Sequence, residues 1–193
     1  MRFGPDRPWL PFTAEELFPG NGIDFRWHAR VRLAPLISAR VVDSFENGVG
    51  MLTAQLLGFL PGPKSRGPAT DKSEAMRGLA ELPWRPSAFN RNDFLIWEET
   101  EQQRLRATFD DGRTQAAIEF AVDGNGHVLA GKAPSRSRML GKTLVQMPWS
   151  GTFDEYKVFD RLRVPTVAEA SWHLPEGSFT YWRARVTDFR ILR

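Results

Sequence analysis

The chain has 193 residues, of which 41% are hydrophobic and 25% charged. A chain of this size buries about 70% of the surface that its unfolded form exposes, so it needs neither disulfides nor a metal ion to hold a core. The net charge is +3, and the basic residues are spread along the whole sequence. This distribution argues against a nucleic-acid-binding protein, because such proteins concentrate Lys and Arg in a patch or stripe.

The sequence contains no cysteine, which excludes a disulfide framework, a thiolate metal site and a thiol nucleophile. This absence fits the cytoplasm and does not exclude the periplasm. No apolar run approaches 18 residues, so no membrane-spanning segment is predicted. Residues 1–10 lack the apolar core of a signal peptide. We interpret residues 1–193 as a single domain.

The first clear element is a strand over residues 23–33, where apolar and polar side chains alternate. Trp27 belongs to the apolar set, and Arg26, Arg30 and Arg32 belong to the polar set. This period of two predicts a strand with one buried face. We interpret the three arginines as a solvated strand face.

Two further strands are predicted at residues 36–45 and 50–60, joined by the tight-turn sequence Asn47-Gly48. The second strand, which contains Met51, is apolar at both parities, and this predicts burial on both faces. The Pro- and Gly-rich residues 61–68 that follow are interpreted as a linker and as the one plausible hinge of the chain.

A single main helix is predicted near residues 69–82, where apolar side chains recur at helical spacing. Thr70 or Asp71 is the predicted N-cap, and Pro83 is expected to end the helix. The polar side chains between the apolar positions are Glu74, Arg77 and Glu81.

The remainder of the chain predicts further strands with turn residues between them and a basic loop at residues 135–138. The fold class that follows is mainly β with one main α-helix: a large curved antiparallel sheet, or half-barrel, with the helix over its concave face. A two-sheet sandwich is the alternative. The predicted strands are residues 93–98, 104–110, 114–122, 127–132, 143–149, 152–159, 164–173 and 178–192.

The sequence holds few signs of catalysis, and it predicts neither a cofactor nor a metal site. Its three histidines lack the spacing of metal ligands, and there is no G-x-S-x-G or phosphate-binding glycine loop. Glu169 and His173 share one face of a predicted strand. If the protein is an enzyme, these two residues and Tyr156 are the candidates, provided that they converge in a deep pocket.

Aromatic content is the most distinctive feature, with seven tryptophans. Most of them are expected in the core, because Trp buries a large area. A curved sheet with an unfilled concave face would also give an aromatic-lined cavity for an apolar ligand such as a lipid or acyl chain. A scaffold or interaction module is the third hypothesis, and it predicts an exposed apolar patch or strand edge. The predicted ligand-lining residues are Trp27, Met51, Trp84, Trp97, Trp149 and Trp182, with Trp84 as a gate.

Several short motifs together resemble a bacterial family whose domain has no known function. They are residues 8–14 (PWLPFTA), 25–29 (FRWHA), 79–86 (LAELPWRP), Pro148-Trp149, Tyr156 and residues 172–183 (WHLPEGSFTYWR). The order of strands and helix in that family looks like the lipoprotein-carrier (LolA/LolB-like) architecture, a curved antiparallel sheet with helices plugging an apolar cavity. This resemblance implies a fold and leaves the activity open.

Members of the resembled family begin further upstream, with a helical segment and a first strand. The present chain opens at residues 1–3, inside what should be that strand, so a trimmed N-terminus is expected. A cytoplasmic location is predicted for the chain as given, and an association with the cell envelope if an anchor was trimmed. The ligand, the oligomeric state and the pathway are left open.

Overall fold

The computed structural model describes residues 1–20, 22–89, 95–140 and 143–192. Twelve strands and one α-helix are present in these ranges, with two short 3₁₀ helices at Leu82–Trp84 and Pro86–Phe89. The elements in chain order are β1 (Phe12–Leu17), β2 (Phe25–Ala34), β3 (Ile37–Glu46), β4 (Val49–Leu56), β5 (Leu60–Arg66), α1 (Pro68–Ala80), β6 (Leu95–Glu101), β7 (Arg104–Asp110), β8 (Gln115–Val122), β9 (Val128–Leu140), β10 (Thr143–Phe159), β11 (Leu162–Leu174) and β12 (Gly177–Arg185).

The chain is mainly β with one main helix, as predicted, and its strands divide between two antiparallel sheets. The first sheet has five strands in the order β1-β2-β3-β4-β5, and the second has seven in the order β12-β11-β10-β9-β8-β7-β6. Both sheets are curved and neither closes. Every neighbour in each sheet is also a neighbour in the sequence, so each sheet is a simple meander.

Helix α1 connects the sheets and packs against both, mainly β4 in the first sheet and β8 and β9 in the second. It ends at Ala80, and Pro83 lies in the short 3₁₀ helix that follows, Leu82–Trp84. The predicted N-cap was wrong, because Gly67 occupies that position. The Asp71 carboxylate instead accepts a hydrogen bond from the Gly50 N–H at 2.8 Å, which ties the helix to β4.

Two predictions for the first sheet were wrong. Residues 61–66, interpreted as part of a linker, belong to β5, an edge strand. An edge position tolerates Pro61 and Pro63 because one side of such a strand needs no N–H donors. Strand β4 ends at Leu56 and is not buried on both faces. Its apolar continuation forms the exposed turn to β5, where Leu57 and Phe59 face solvent.

In the second sheet the meander of β6, β7 and β8 is confirmed, although residues 93 and 94 of its first predicted strand lie outside the described residues. The predicted basic loop at residues 135–138 was wrong, because β9 continues through it to Leu140. The two strands predicted at 143–149 and 152–159 form one long strand, β10. A bulge between Met147 and Trp149 interrupts its pairing with β9.

The core lies between the sheets and contains most of the tryptophans. Phe45 of β3 meets Phe109 of β7 edge to face at 5.7 Å, and Phe12 of β1 lies 6.1 Å from Trp182 of β12. These contacts join the two sheets directly. Among the helices in the described part of the chain, none is long and apolar enough to cross a membrane.

Candidate functional site

The second sheet splits open between β8 and β9, and the split forms a cleft of about 790 Å³. The β8–β9 ladder includes the pair Glu119↔Lys132 and runs from there to Val122↔Val128. Within the described strands, residues 115–118 of β8 pair with β7 alone. The two strands diverge from this point, so the cleft passes through the sheet toward α1.

The cleft is apolar in its depth. Helix α1 contributes Met76, and the flanking strands contribute Ile118, Ala133 and Trp149. All four side chains are at least nine-tenths buried. The volume of the cleft lies within the range of small-molecule sites.

The mouth of the cleft is charged, because it opens on the outer, polar face of the sheet. The ionisable side chains of this face that line the cleft are Glu98, Arg106, Glu119, Lys132 and His173, and Lys72 of α1 also lines the cleft. Lys132 Nζ lies 2.8 Å from a Glu119 carboxylate oxygen. This hydrogen bond lowers the pKa of Glu119 below its usual value, and Arg104 and Arg106 add to the effect. Lys72, in contrast, forms no ion pair within the described part of the chain.

One of the six predicted ligand-lining residues, Trp149, lies in this cleft. The orientation of its ring is fixed by a hydrogen bond, in which the indole N–H donates to the Tyr181 hydroxyl at 3.1 Å. The Arg136 guanidinium also lies 5.0 Å from the centre of the Trp149 ring. These contacts fix one wall of the cleft.

The other five predicted residues are distributed through the molecule. Trp27 and Trp182 both approach Phe12, at 6.0 and 6.1 Å between ring centres. Met51 lies on the first sheet, where its sulfur accepts a hydrogen bond from Arg66. Trp97 stacks on Phe89 at 4.9 Å. The structure therefore brings Trp27 and Trp182 near each other and leaves Met51 and Trp97 apart from them.

Trp84, the predicted gate, is anchored in the core. It is 8% exposed, and its indole N–H donates to the Pro165 carbonyl oxygen at 2.8 Å. It also meets Phe153 edge to face at 5.4 Å. These bonds tie the segment after α1 to β11 and β10.

The three catalytic candidates do not converge. His173 Nε2 lies 2.9 Å from Ser150 Oγ, whereas Glu169 is paired with Arg183 at 2.8 Å. The Tyr156 hydroxyl donates to the Val128 carbonyl oxygen, and burial raises the pKa of Tyr156 to about 12. A tyrosine with this pKa holds its proton at neutral pH. The Ser150–His173 contact bridges two neighbouring strands, and no carboxylate in the described contacts orients the imidazole.

A second group of polar residues lies buried between α1 and the first sheet. Arg77 contacts the carboxylates of Glu16 at 3.0 Å, Glu81 at 2.7 Å and Asp43. The same guanidinium lies over the rings of Phe25 and Trp27. We refer to Glu16, Asp43, Glu74, Arg77 and Glu81 as the buried charge cluster.

Burial raises the pKa of two carboxyl groups in this cluster. For Glu16 the next largest cause is the nearby charge of Glu81, and for Glu74 it is Asp43. A protonated Glu74 can donate to Asp43, and a protonated Glu16 can donate to Glu81. The sequence analysis put Glu74, Arg77 and Glu81 between the apolar positions of the helix. In the structure α1 packs against both sheets, and Glu74 and Glu81 are buried. Among the described residues, no group of three or more His, Asp or Glu side chains is arranged to hold a metal ion.

The sequence analysis did not predict the cleft, although one residue indicates where the β8–β9 ladder ends. Pro134 follows the Glu119↔Lys132 pair by two residues along β9, and a proline has no N–H for a neighbouring strand. A proline in this place favours the end of a ladder. The partner strand and the register, which turn that ending into a cleft, depend on the fold.

Residues 1–190 match the model of a family of unknown function, DUF6920, and the chain belongs to this family. Neither a curated protein nor a solved structure matches the chain.

Proposed function

We propose that this member of the family binds an amphipathic ligand, with a lipid-like or acyl chain in the cleft between β8 and β9 and a polar end at its mouth. The observation that carries the proposal is the opened sheet, in which apolar side chains lie deep and charged side chains surround the entrance. Ligand sites combine a mainly apolar lining with a few polar groups that orient the ligand. The role is binding or transport without catalysis.

The charges at the mouth favour an acidic end on the ligand. Glu119 is engaged by Lys132 and lies near Arg104 and Arg106. Lys72 is exposed at the start of α1 and has no ion pair within the described contacts. An acidic ligand group that reaches Lys72 would therefore meet a free ammonium group.

Trp149 is the one predicted ligand-lining residue that lines the cleft. Its ring faces the cleft while Tyr181 and Arg136 hold it from other sides. An acyl chain in the cleft would contact this ring, and Trp27 and Trp84 would be unaffected by it. Fluorine NMR of protein labelled with 5-fluorotryptophan tests this difference, with the Trp149 resonance assigned from Trp149→Phe.

The first experiment is native mass spectrometry of the freshly purified chain, followed by denaturing extraction. A co-purified acyl species at one equivalent supports the proposal and identifies the ligand class. The second experiment is a titration with oleate of the delipidated protein and of Ala117→Trp. Ala117 lines the cleft and is half-buried, so a tryptophan there fills the entrance.

The matched control is Ala121→Trp, at a half-buried position on the same face of β8 and away from the cleft lining. We expect Ala117→Trp to weaken oleate binding by about tenfold or more and Ala121→Trp to leave it within about twofold. Equal affinities in the two variants would place the ligand elsewhere. If oleate binds neither the two variants nor the unsubstituted protein, the proposal is wrong.

A further inference from the structure

Two hairpin turns at one end of the first sheet expose large apolar side chains. Leu36, in the β2–β3 turn, is 100% exposed, and Phe59, in the β4–β5 turn, is 70% exposed. The turns are neighbours, because the Leu57 N–H donates to the Ser38 carbonyl oxygen at 2.8 Å. We call the exposed side chains around these turns the apolar tip: Leu33, Leu36, Ile37, Leu57, Phe59 and Leu60.

The backbone at the tip is unfavourable for the residues that occupy it. Leu36 has φ of 64° and Leu57 has φ of 54°, both in the left-handed region. Bulky side chains are disfavoured there, and Asn or Gly is the usual residue in such hairpin turns. The fold would thus gain from polar residues at both positions. Leucines that are strained and exposed at once suggest a role outside folding.

The outer face of the same sheet is basic. Arg30 and Arg32 of β2 project on the face opposite the buried Ala29 and Val31, and Arg40 of β3 lies directly across from Arg30. Like charges directly opposite each other destabilise a sheet. Lys64 and Arg66 of β5 extend the basic face through the register of β4 with β5. We call Arg30, Arg32, Arg40, Lys64 and Arg66 the basic face.

The positive charge of this face is poorly compensated inside the molecule. None of these five side chains forms an ion pair with any residue that the structure describes. Glu46, an acidic residue at the margin of the face, is engaged by Arg26 at 2.7 Å. The basic face therefore presents cations to solvent beside an aliphatic tip.

We propose that the apolar tip and the basic face dock together on an anionic phospholipid surface. The leucines and Phe59 would enter the boundary between headgroups and acyl chains, while the arginines lie among acidic headgroups. Charge complementarity selects this occupant, and the tip supplies the apolar area that a water-soluble polyanion would not cover. The inference is independent of the ligand proposed for the cleft between β8 and β9, which lies in the other sheet.

Co-sedimentation of the full chain with vesicles tests the proposal. One vesicle preparation contains phosphatidylcholine alone, and the other adds phosphatidylglycerol. We expect binding to the anionic vesicles and little to the neutral ones. Binding should weaken as salt is added, because the screening length falls from about 10 Å at 0.1 M to about 3 Å at 1 M.

The decisive variant is the double substitution Leu36→Asn and Leu57→Asn. It is expected to weaken vesicle binding about tenfold or more, since two aliphatic side chains are lost from the membrane contact. The same variant should have an unchanged or higher melting temperature, because Asn tolerates the left-handed conformation. Loss of binding cannot then be ascribed to unfolding. The control is Ile191→Asn with Leu192→Asn, which removes two exposed aliphatic side chains near the C-terminus.

A second pair of variants tests the charges. Arg32→Gln with Arg40→Gln should weaken binding to anionic vesicles about tenfold or more, because two cations are lost from the contact with the acidic headgroups. Arg161→Gln with Arg163→Gln, at exposed positions of the β10–β11 turn and the start of β11, is the matched control. Ala117→Trp should retain vesicle binding, and the tip variant should retain oleate binding, so the two proposals fail separately.

Three outcomes would overturn the inference. The first is that the chain binds neither kind of vesicle, which would leave a protein as the partner of the tip. The second is that Leu36→Asn with Leu57→Asn binds as well as the unsubstituted chain. The third is that each control weakens binding as much as its matched variant, which would show adsorption without a defined surface.

Discussion

Glu74→Gln is expected to stabilise the protein at neutral pH. Glu74 is 6% exposed, and one of its carboxylate oxygens has no hydrogen-bond partner in the described part of the chain. Burial and the nearby Asp43 raise its pKa well above the usual 4.5, while Arg136 and Arg77 oppose the shift. A glutamine has the shape of the protonated acid and can donate to Asp43, so it replaces the favoured form without a proton.

The magnitude follows from linkage between protonation and folding. With a raised pKa in the folded state, the folded chain binds more protons than the unfolded chain above pH 4.5. The contribution of protonated Glu74 to the free energy of unfolding is therefore fully present below pH 4.5. It is lost as the pH rises from 4.5 toward the raised pKa of the folded state. Each pH unit of this window costs about 1.4 kcal/mol, so at about pH 7 the ceiling on the gain from Glu74→Gln is roughly 3–4 kcal/mol.

Urea unfolding of both proteins between about pH 5 and pH 8 measures the effect. The difference between the two curves isolates Glu74, because Glu16 and the exposed carboxylates contribute equally to both. Asp111 and Glu119 have lowered pKa values, so their contribution is lost at acid pH and lies outside this window. Glu176→Gln, at an exposed turn, is the control. A Glu74→Gln protein that is less stable at pH 7, or a difference that does not grow with pH, would refute the reasoning.

Three further substitutions test the packing around α1 by the same unfolding measurement. Arg77→Met should cost about 3–5 kcal/mol at neutral pH, because it removes the partner of the buried Asp43 and Glu81 and of the partly buried Glu16, and a change below about 1 kcal/mol would contradict this. Gly78→Ala should cost about 1–3 kcal/mol despite the better helix propensity of alanine, because its Cβ would collide with the Ile23 carbonyl oxygen; a stabilised variant would show that the helix moves freely. Trp84→Phe should cost about 1–3 kcal/mol by leaving the buried Pro165 carbonyl without its donor, whereas a neutral result would mean that water replaces the indole.

The sequence predicted elements whose pattern is local. Alternation along residues 23–33 identified β2 and its buried face, and the helical spacing identified α1 within two residues at each end. The sequence-based prediction failed where pairing with a neighbouring strand determines the structure of a segment. Strand β5 contains two prolines and is held at the sheet edge by β4, and β9 continues through residues 135–138 because β10 pairs with it.

The candidate site could be predicted only in part, for the same reason. Aromatic content pointed to an apolar lining, and Trp149 does line the cleft. The cleft itself depends on where the β8–β9 ladder ends, which is set by contacts between segments far apart in sequence. The burial of Glu74 and Glu81 could not be predicted from the sequence either, because the polar face of an amphipathic helix is expected to be exposed to solvent. Here a second sheet covers it.

This double burial of α1 connects the buried charge cluster to the cleft. Met76 faces the cleft, and Glu74 and Arg77, on either side of it in the sequence, belong to the cluster. One face of the helix is thus positioned by ion pairs to β1 and β3, whereas the other forms part of the cleft wall. A rigid helix cannot shift on one face without shifting on the other. Arg77 and its carboxylates therefore help to position the cleft wall, although none of these residues lines the cleft.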